Sequence, residues 1–89
     1  MTDTDASALL FPCRFPIKAM GLARDDLYLR IIEIVEQHVP DLNKEDITQR
    51  ASSNGKYLSV TVTIEATSRE QLDAIYQALT DCEHVMMAL

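Results

Sequence analysis

Ile47-Thr48-Gln49-Arg50-Ala51-Ser52-Ser53-Asn54-Gly55-Lys56-Tyr57-Leu58-Ser59-Val60-Thr61-Val62-Thr63-Ile64 holds two segments of alternating polarity around an Asn-Gly pair. A two-residue type I′ turn needs positive φ at both central positions, and Asn-Gly supplies it most readily. The pattern predicts a hairpin between a weak strand, Glu45–Ser53, and a strong one, Lys56–Ala66. With Ser53 opposite Lys56, Ala51 meets Leu58, Gln49 meets Val60 and Ile47 meets Val62. On the other side Ser52 meets Tyr57, Arg50 meets Ser59 and Thr48 meets Thr61. The apolar residues gather on one face with Gln49 as the exception, the signature of a sheet covered on a single side.

C-terminal to the hairpin, Thr67-Ser68-Arg69-Glu70-Gln71 contains Thr-x-x-Glu and Ser-x-x-Gln, two overlapping capping-box candidates. Leu72, Ile75, Tyr76 and Leu79 then recur at helical spacing, so a helix is expected to about Thr80. His84-Val85-Met86-Met87-Ala88-Leu89 predicts a short last strand with Val85, Met87 and Leu89 on one side. N-terminal to the hairpin, Phe11–Gly21 alternates, with Cys13, Phe15, Ile17 and Ala19 facing one way. Its prolines stand near the start, where a missing donor is tolerated, and Gly21 is expected to end it. From about Arg24 to Val39 the period becomes helical through Leu27, Ile31, Ile34, Val35 and His38. Asp25 and Asp26 suit the positive end of that helix, and Pro40 cannot continue it.

The order strand, helix, strand, strand, helix, strand makes two split βαβ halves. Right-handed crossovers then give an α+β ferredoxin-like sandwich: a four-stranded antiparallel sheet in the order 4-1-3-2 with two helices on one face. Val60, Val62, Ile64, Phe15 and Ile17 are the expected centre of the core. Residues 1–10 are expected to form a flexible tail and residues 11–89 a single domain. In this topology Cys13 and Cys82 lie at opposite ends of the first strand. Seven strand residues separate them by roughly 23 Å, whereas a disulfide needs Cα atoms within about 7 Å.

Composition narrows the function. A chain of 89 residues with 47% hydrophobic and 25% charged residues has room for one core. Its net charge of −6 sets a repulsive far field against phosphate backbones and anionic lipid, so neither nucleic acid nor a membrane is an expected partner. The start Met1-Thr2-Asp3-Thr4-Asp5 is not the cationic, then apolar, start of a secretory signal, and the expected location is cytoplasmic. Two cysteines without CxxC spacing support no metal, and no cofactor motif occurs, a lone Gly21 being no phosphate loop. No nucleophile converges with His38 or His84, so no catalytic residue is assigned and the chain is expected not to be an enzyme.

Two places could bind. The uncovered face of the expected sheet carries Arg14, Lys18, Arg50 and Tyr57, with Thr61, Thr63, His84 and Met86. Cations gathered on an acidic chain suit an anionic ligand or acidic partner, or form a solvated face balanced by Glu65. With only Tyr57 to stack a base, RNA is not expected there. The turn Met20-Gly21-Leu22 is a candidate ligand site because glycine lets backbone come close, or it is a turn that simply needs glycine. The last strand holds neither Lys nor Pro within Val85–Leu89, so its outer edge is a candidate for pairing with a second copy.

Phe11-Pro12 with Phe15, Lys18-Ala19-Met20-Gly21, His38-Val39-Pro40 and above all Ser52–Ile64 resemble the YbeD-like family of small uncharacterised bacterial proteins. The resemblance runs from about Leu10 to Leu89 and departs at Ala88, where the family carries a bulkier residue. It implies a ferredoxin-like fold similar to the ACT small-molecule-sensing domains, with no established activity, cofactor or catalytic residue. Relatives are often encoded near lipoate-attachment enzymes, which implies a link to that pathway. The expected function is a non-enzymatic regulatory or interaction module. It is either an ACT-like metabolite sensor or a protein-binding adaptor that uses the open face or the last strand's edge.

Overall fold

The structure is a computed structural model that describes residues 10–24 and 26–89. Residues 1–9 of the expected tail at 1–10, and the helix-start role of Asp25, lie outside the described residues. The chain forms β1 (Cys13–Leu22), α1 (Leu27–Glu36), a 3₁₀ turn (Lys44–Asp46), β2 (Ile47–Ala51), β3 (Tyr57–Ala66), α2 (Arg69–Asp81) and β4 (Met87–Ala88). The strands make one four-stranded sheet ordered β2-β3-β1-β4, the ferredoxin-like arrangement the alternation predicts. All three pairings are antiparallel.

β1 and β3 pair along their whole length, from Cys13 against Ala66 to Leu22 against Tyr57. That register places Ile17 beside Val62 and Ala19 beside Val60, and all four are buried under the helices. Leu27, Ile31, Ile32 and Val35 of α1 and Leu72, Ile75 and Leu79 of α2 close the core from above. Each fully buried Val, Leu or Ile contributes roughly 1.5–3 kcal/mol of transfer free energy. Phe15 is only half-buried, at the margin of this core rather than its centre.

The hairpin keeps the expected register, with Ile47 on Val62, Gln49 on Val60 and Ala51 on Leu58. Its turn differs. Gly55 has φ of 74°, and no non-glycine residue among those described has positive φ, so Asn54 is not in a type I′ turn. Instead the Gly55 amide donates to the Ser52 carbonyl at 2.9 Å, and the Ser52 amide donates to the Tyr57 carbonyl at 2.8 Å. The Ser52 hydroxyl accepts from the Tyr57 amide, and the Asn54 side chain accepts from the Lys56 amide. A longer loop centred on the same point leaves every strand pair unchanged.

α1 is shorter than its apolar spacing suggests. It begins after Asp26, whose side chain makes no cap hydrogen bond, and it ends at Glu36. The Val39 amide still donates to the Val35 carbonyl, so the apolar stripe outlasts the helix by a turn. α2 uses the second capping candidate: Ser68 Oγ accepts from the Gln71 amide at 3.0 Å. Gln71 in turn accepts from the Thr67 amide at 2.8 Å and donates to the His38 carbonyl at 3.1 Å. One side chain therefore ties the start of α2 to the end of α1.

β4 overturns its expected facing. Ala88 pairs with Ala19 and points to the core, whereas Met87 pairs with Met20 and points away. The Met86 amide donates to the Met20 carbonyl at 2.7 Å, so Met86 and Met87 both stand against Met20 as a bulge. The extra residue inverts the alternation: Val85 is buried, while Met87 and Leu89 are exposed. Leu89 exchanges both backbone hydrogen bonds with Lys18.

Gly21 does not end β1; it pairs with Leu58 inside the strand. A Cβ on Gly21 would overlap the His84 carbonyl oxygen. Glycine is therefore required by the backbone that enters β4. Gly21→Ala is expected to destabilise the domain by about 1–3 kcal/mol, read as an earlier denaturant midpoint with unchanged slope. Burial also raises the Tyr76 phenol above its ordinary value of 10.0. The folded state then holds that proton more tightly than the unfolded chain, so stability is full below that value and falls as pH climbs past it. Tyr76→Phe is expected to flatten this alkaline loss in urea midpoints measured from neutral to strongly alkaline pH.

Candidate functional site

The strand alternation that fills the core also builds the opposite face. Arg14, Pro16, Lys18, Met20 and Leu22 of β1 lie beside Glu65, Thr63, Thr61, Ser59 and Tyr57 of β3. Thr48 and Arg50 extend the rows of Thr61 and Ser59 onto β2. Met87 and Leu89 extend the rows of Met20 and Lys18 on the other side. Among the described residues no helix covers this face.

Its three cations differ in their surroundings. Arg14 Nη2 bonds Asp46 Oδ1 at 2.8 Å and faces Glu65 across the ladder, so its charge is balanced locally. Lys18 and Arg50 are exposed, and among the described residues neither has a carboxylate within 4.0 Å. Thr48, Ser59 and Thr61 lie between them and share with them a shallow depression of about 320 Å³. By strand spacing the two cations stand roughly 12 Å apart along the backbone. Tyr57 closes one end of the face, with the Lys56 ammonium 5.5 Å from its ring centroid.

The structure brings Lys18, Arg50 and Tyr57 onto one face, with Arg14 at its far end. It removes His84 from it. His84 lies in the turn before β4, its Nε2 3.9 Å from Asp26 and its carbonyl against Gly21. Met86, at the bulge, is exposed beside Leu22, and Met87 and Leu89 join the face next to Met20 and Lys18. The sequence pattern missed Met87 and Leu89 because the extra residue at the bulge reverses the side chains after it. It missed His84 because the contact with Asp26 comes from across the fold. Met20, Gly21 and Leu22 are strand residues, not a turn, and Gly21 is enclosed by backbone.

A second depression, of about 470 Å³, lies at the other end of the sheet among Arg14, His38, Asp46, Glu65 and Gln71. Within it Arg14 pairs with Asp46, and the Gln71 amide donates to the His38 backbone carbonyl. Cys13 and Cys82 are free thiols. Among the described residues there is no group of three His, Cys, Asp or Glu able to hold a metal, no buried side-chain polar atom without a partner, and no helix long and apolar enough to cross a membrane.

Comparison with known proteins fits this picture of a small sheet-and-helix domain. Residues 6–89 match a family described as a protein of unknown function, DUF493. The chain belongs to this family. A UPF0250 protein of Chromobacterium violaceum is 46% identical over 89 residues, covering all of both chains. A UPF0250 protein of Janthinobacterium sp. is 51% identical over 78 residues, 88% of this chain and 86% of its own. These relatives bear out the YbeD-like resemblance of Ser52–Ile64 and its flanks. The solution structure of protein HP0495 from H. pylori superposes with a TM-score of 0.72, over 98% of this chain and 91% of that one. At 18% identity it shares the fold.

Because the Arg14 side chain is 62% exposed, its pair with Asp46 is a surface ion pair. Arg14→Ala is expected to change stability by less than about 1 kcal/mol, measured by urea unfolding at low salt, with a smaller difference at high salt.

Proposed function

We propose that the protein is a non-enzymatic interaction module that binds a protein partner on the uncovered face of its sheet. The observation that carries this reading is the pair Lys18 and Arg50. Two exposed cations without carboxylate partners stand on a chain of net charge −6, on a broad sheet face that no helix covers, all among the described residues. Cations so placed attract acidic surfaces and repel basic ones, which raises encounter rates with the right partner and disfavours wrong ones. The apolar Met20, Met87 and Leu89 beside them supply area to bury. Met87 is 51% and Leu89 63% exposed, too open for side chains that only close a core.

The alternative of a metabolite sensor at Met20, Gly21 and Leu22 draws less support, since the side of Gly21 that a ligand would approach is taken by the His84 carbonyl. Pairing of the β4 edge with a second copy also draws less. The strand is only two residues long, and ladder energy grows with length.

Immobilised wild-type protein, the charge-reversed double variant Lys18→Glu/Arg50→Glu and the edge variant Ala88→Pro separate these readings. The Ala88 amide points to the outer edge by the alternation of the ladder, so proline there removes only an outward donor. Proteins captured from bacterial extract and quantified by mass spectrometry are expected to be lost with the charge-reversed variant and kept with the edge variant. Capture unchanged by charge reversal would refute the face as the binding surface.

A further inference from the structure

Resting on that reading, we propose that the partner element is an amphipathic α-helix, laid along β1 and β4 with an acidic flank turned to Lys18 and Arg50. The large apolar side chains gather at one side of the face, with Lys18 at their border. Met20 and Leu22 of β1 and Met87 and Leu89 of β4 form an apolar strip at the free side of the sheet. Two adjacent strands and their side chains make this strip roughly 10 Å wide, which matches the apolar stripe of a helix about 10–12 Å across. Methionine is unbranched and polarisable, so Met20 and Met87 can repack against whatever large side chains the helix brings.

Arg50 and the hydroxyl side chains lie to one side of that strip, and Lys18 stands on β1 at its border, between Pro16 and Met20 and beside Leu89. Arg50 shares a row with Ser59, Met20 and Met87, while Lys18 shares one with Thr48, Thr61 and Leu89. The floor between the cations is made of short hydroxyl side chains. A helix on the strip therefore has room to turn carboxylates down toward both charges while its opposite face stays in water. The hydroxyls of Ser59 and Thr61 add donors at the same level. This is helix-in-groove recognition, with anchors at helical spacing for affinity and flanking charge for orientation.

The same arrangement argues against a second copy as the occupant. Two such faces related by a two-fold axis would bring Lys18 and Arg50 toward another set of the same cations, a like-charge arrangement that opposes association. A basic or uncharged helix would meet the apolar strip equally well and gain nothing from Lys18 and Arg50.

The test uses the full chain and three synthetic labelled peptides. One carries Leu at helical spacing with Glu along one flank, one has Lys in place of every Glu, and one scrambles the first so that composition is kept and periodicity lost. Saturable anisotropy is expected for the first peptide alone. Lys18→Glu/Arg50→Glu is expected to weaken it at least about ten-fold, as is Met20→Ser/Met87→Ser. Lys18→Gln/Arg50→Gln, with the charge removed but not reversed, is expected to fall between. Amide shift changes are expected at Lys18, Met20, Ser59, Thr61 and Met87.

Equal binding by the Lys or the scrambled peptide, or shifts confined to Val85–Leu89, would overturn the proposal. So would a concentration-dependent dimer that charge reversal dissolves, which would assign the face to a second copy. If no peptide binds while charge reversal still abolishes protein capture, the helical partner is refuted and the interaction module stands. If capture too is indifferent to charge reversal, both fall.

Discussion

Ten residues of β1 lie in register against ten of β3, and almost everything else in the domain is positioned by that ladder. It sets Ile17 and Ala19 beside Val62 and Val60 on one side and Lys18 and Met20 beside Thr61 and Ser59 on the other. Sliding the ladder by one residue would send the first group into water and the second under the helices. The cost of that exchange is several buried aliphatic side chains at roughly 1.5–3 kcal/mol each, against a total stability of about 5–15 kcal/mol for domains of this kind. One register is therefore selected, and both faces of the sheet follow from it.

The faces then meet different fates. α1 and α2 both lie on one side because each right-handed crossover returns over the same surface. That leaves the other side as the broad uncovered face, where side chains are free of packing constraints and can be chosen for contact. The gathering of Met20, Leu22, Met87 and Leu89 at the β1–β4 side of this face, beside Lys18 and the hydroxyl-lined β3, is not required by stability. Threonine and serine satisfy a solvated sheet; exposed Met87 and Leu89 do not improve it. The bulge at Met86 and Met87 is what turns these two residues outward, so the apolar strip depends on one inserted residue.

How much could be read from the chain varied with how local the governing force was. The hairpin register of Ile47–Ala51 on Tyr57–Ala66 was legible even though the turn was misassigned, because polarity fixes which residues can face each other while several loops can close the same pairing. Ser68 as the cap of α2 was legible too, since capping is a contact over three residues. The ends of α1 were not: its apolar stripe continues through Val39 after the helix has stopped. Gly21 was misread for a further reason. Its neighbour is the carbonyl of His84, 63 positions away in the chain, and nothing near Gly21 announces it.

The sequence by itself determined the order of elements, the hairpin register, Ile17, Val60, Val62 and Ile64 as core residues and the presence of Arg14, Lys18, Arg50 and Tyr57 on one side of the sheet. These rest on alternation, helical spacing and capping, all of which act over a few residues. Only the tertiary structure decided which of those cations has no carboxylate partner among the described residues, that His84 leaves the face, and that Met87 and Leu89 turn outward while Val85 stays buried. Each of these depends on residues brought together across the fold: Arg14 on Asp46, His84 on Asp26, and the bulge of β4 on the carbonyl of Met20. Contacts of that kind leave no periodic trace in the chain, because their partners are set by the docking of whole strands and helices.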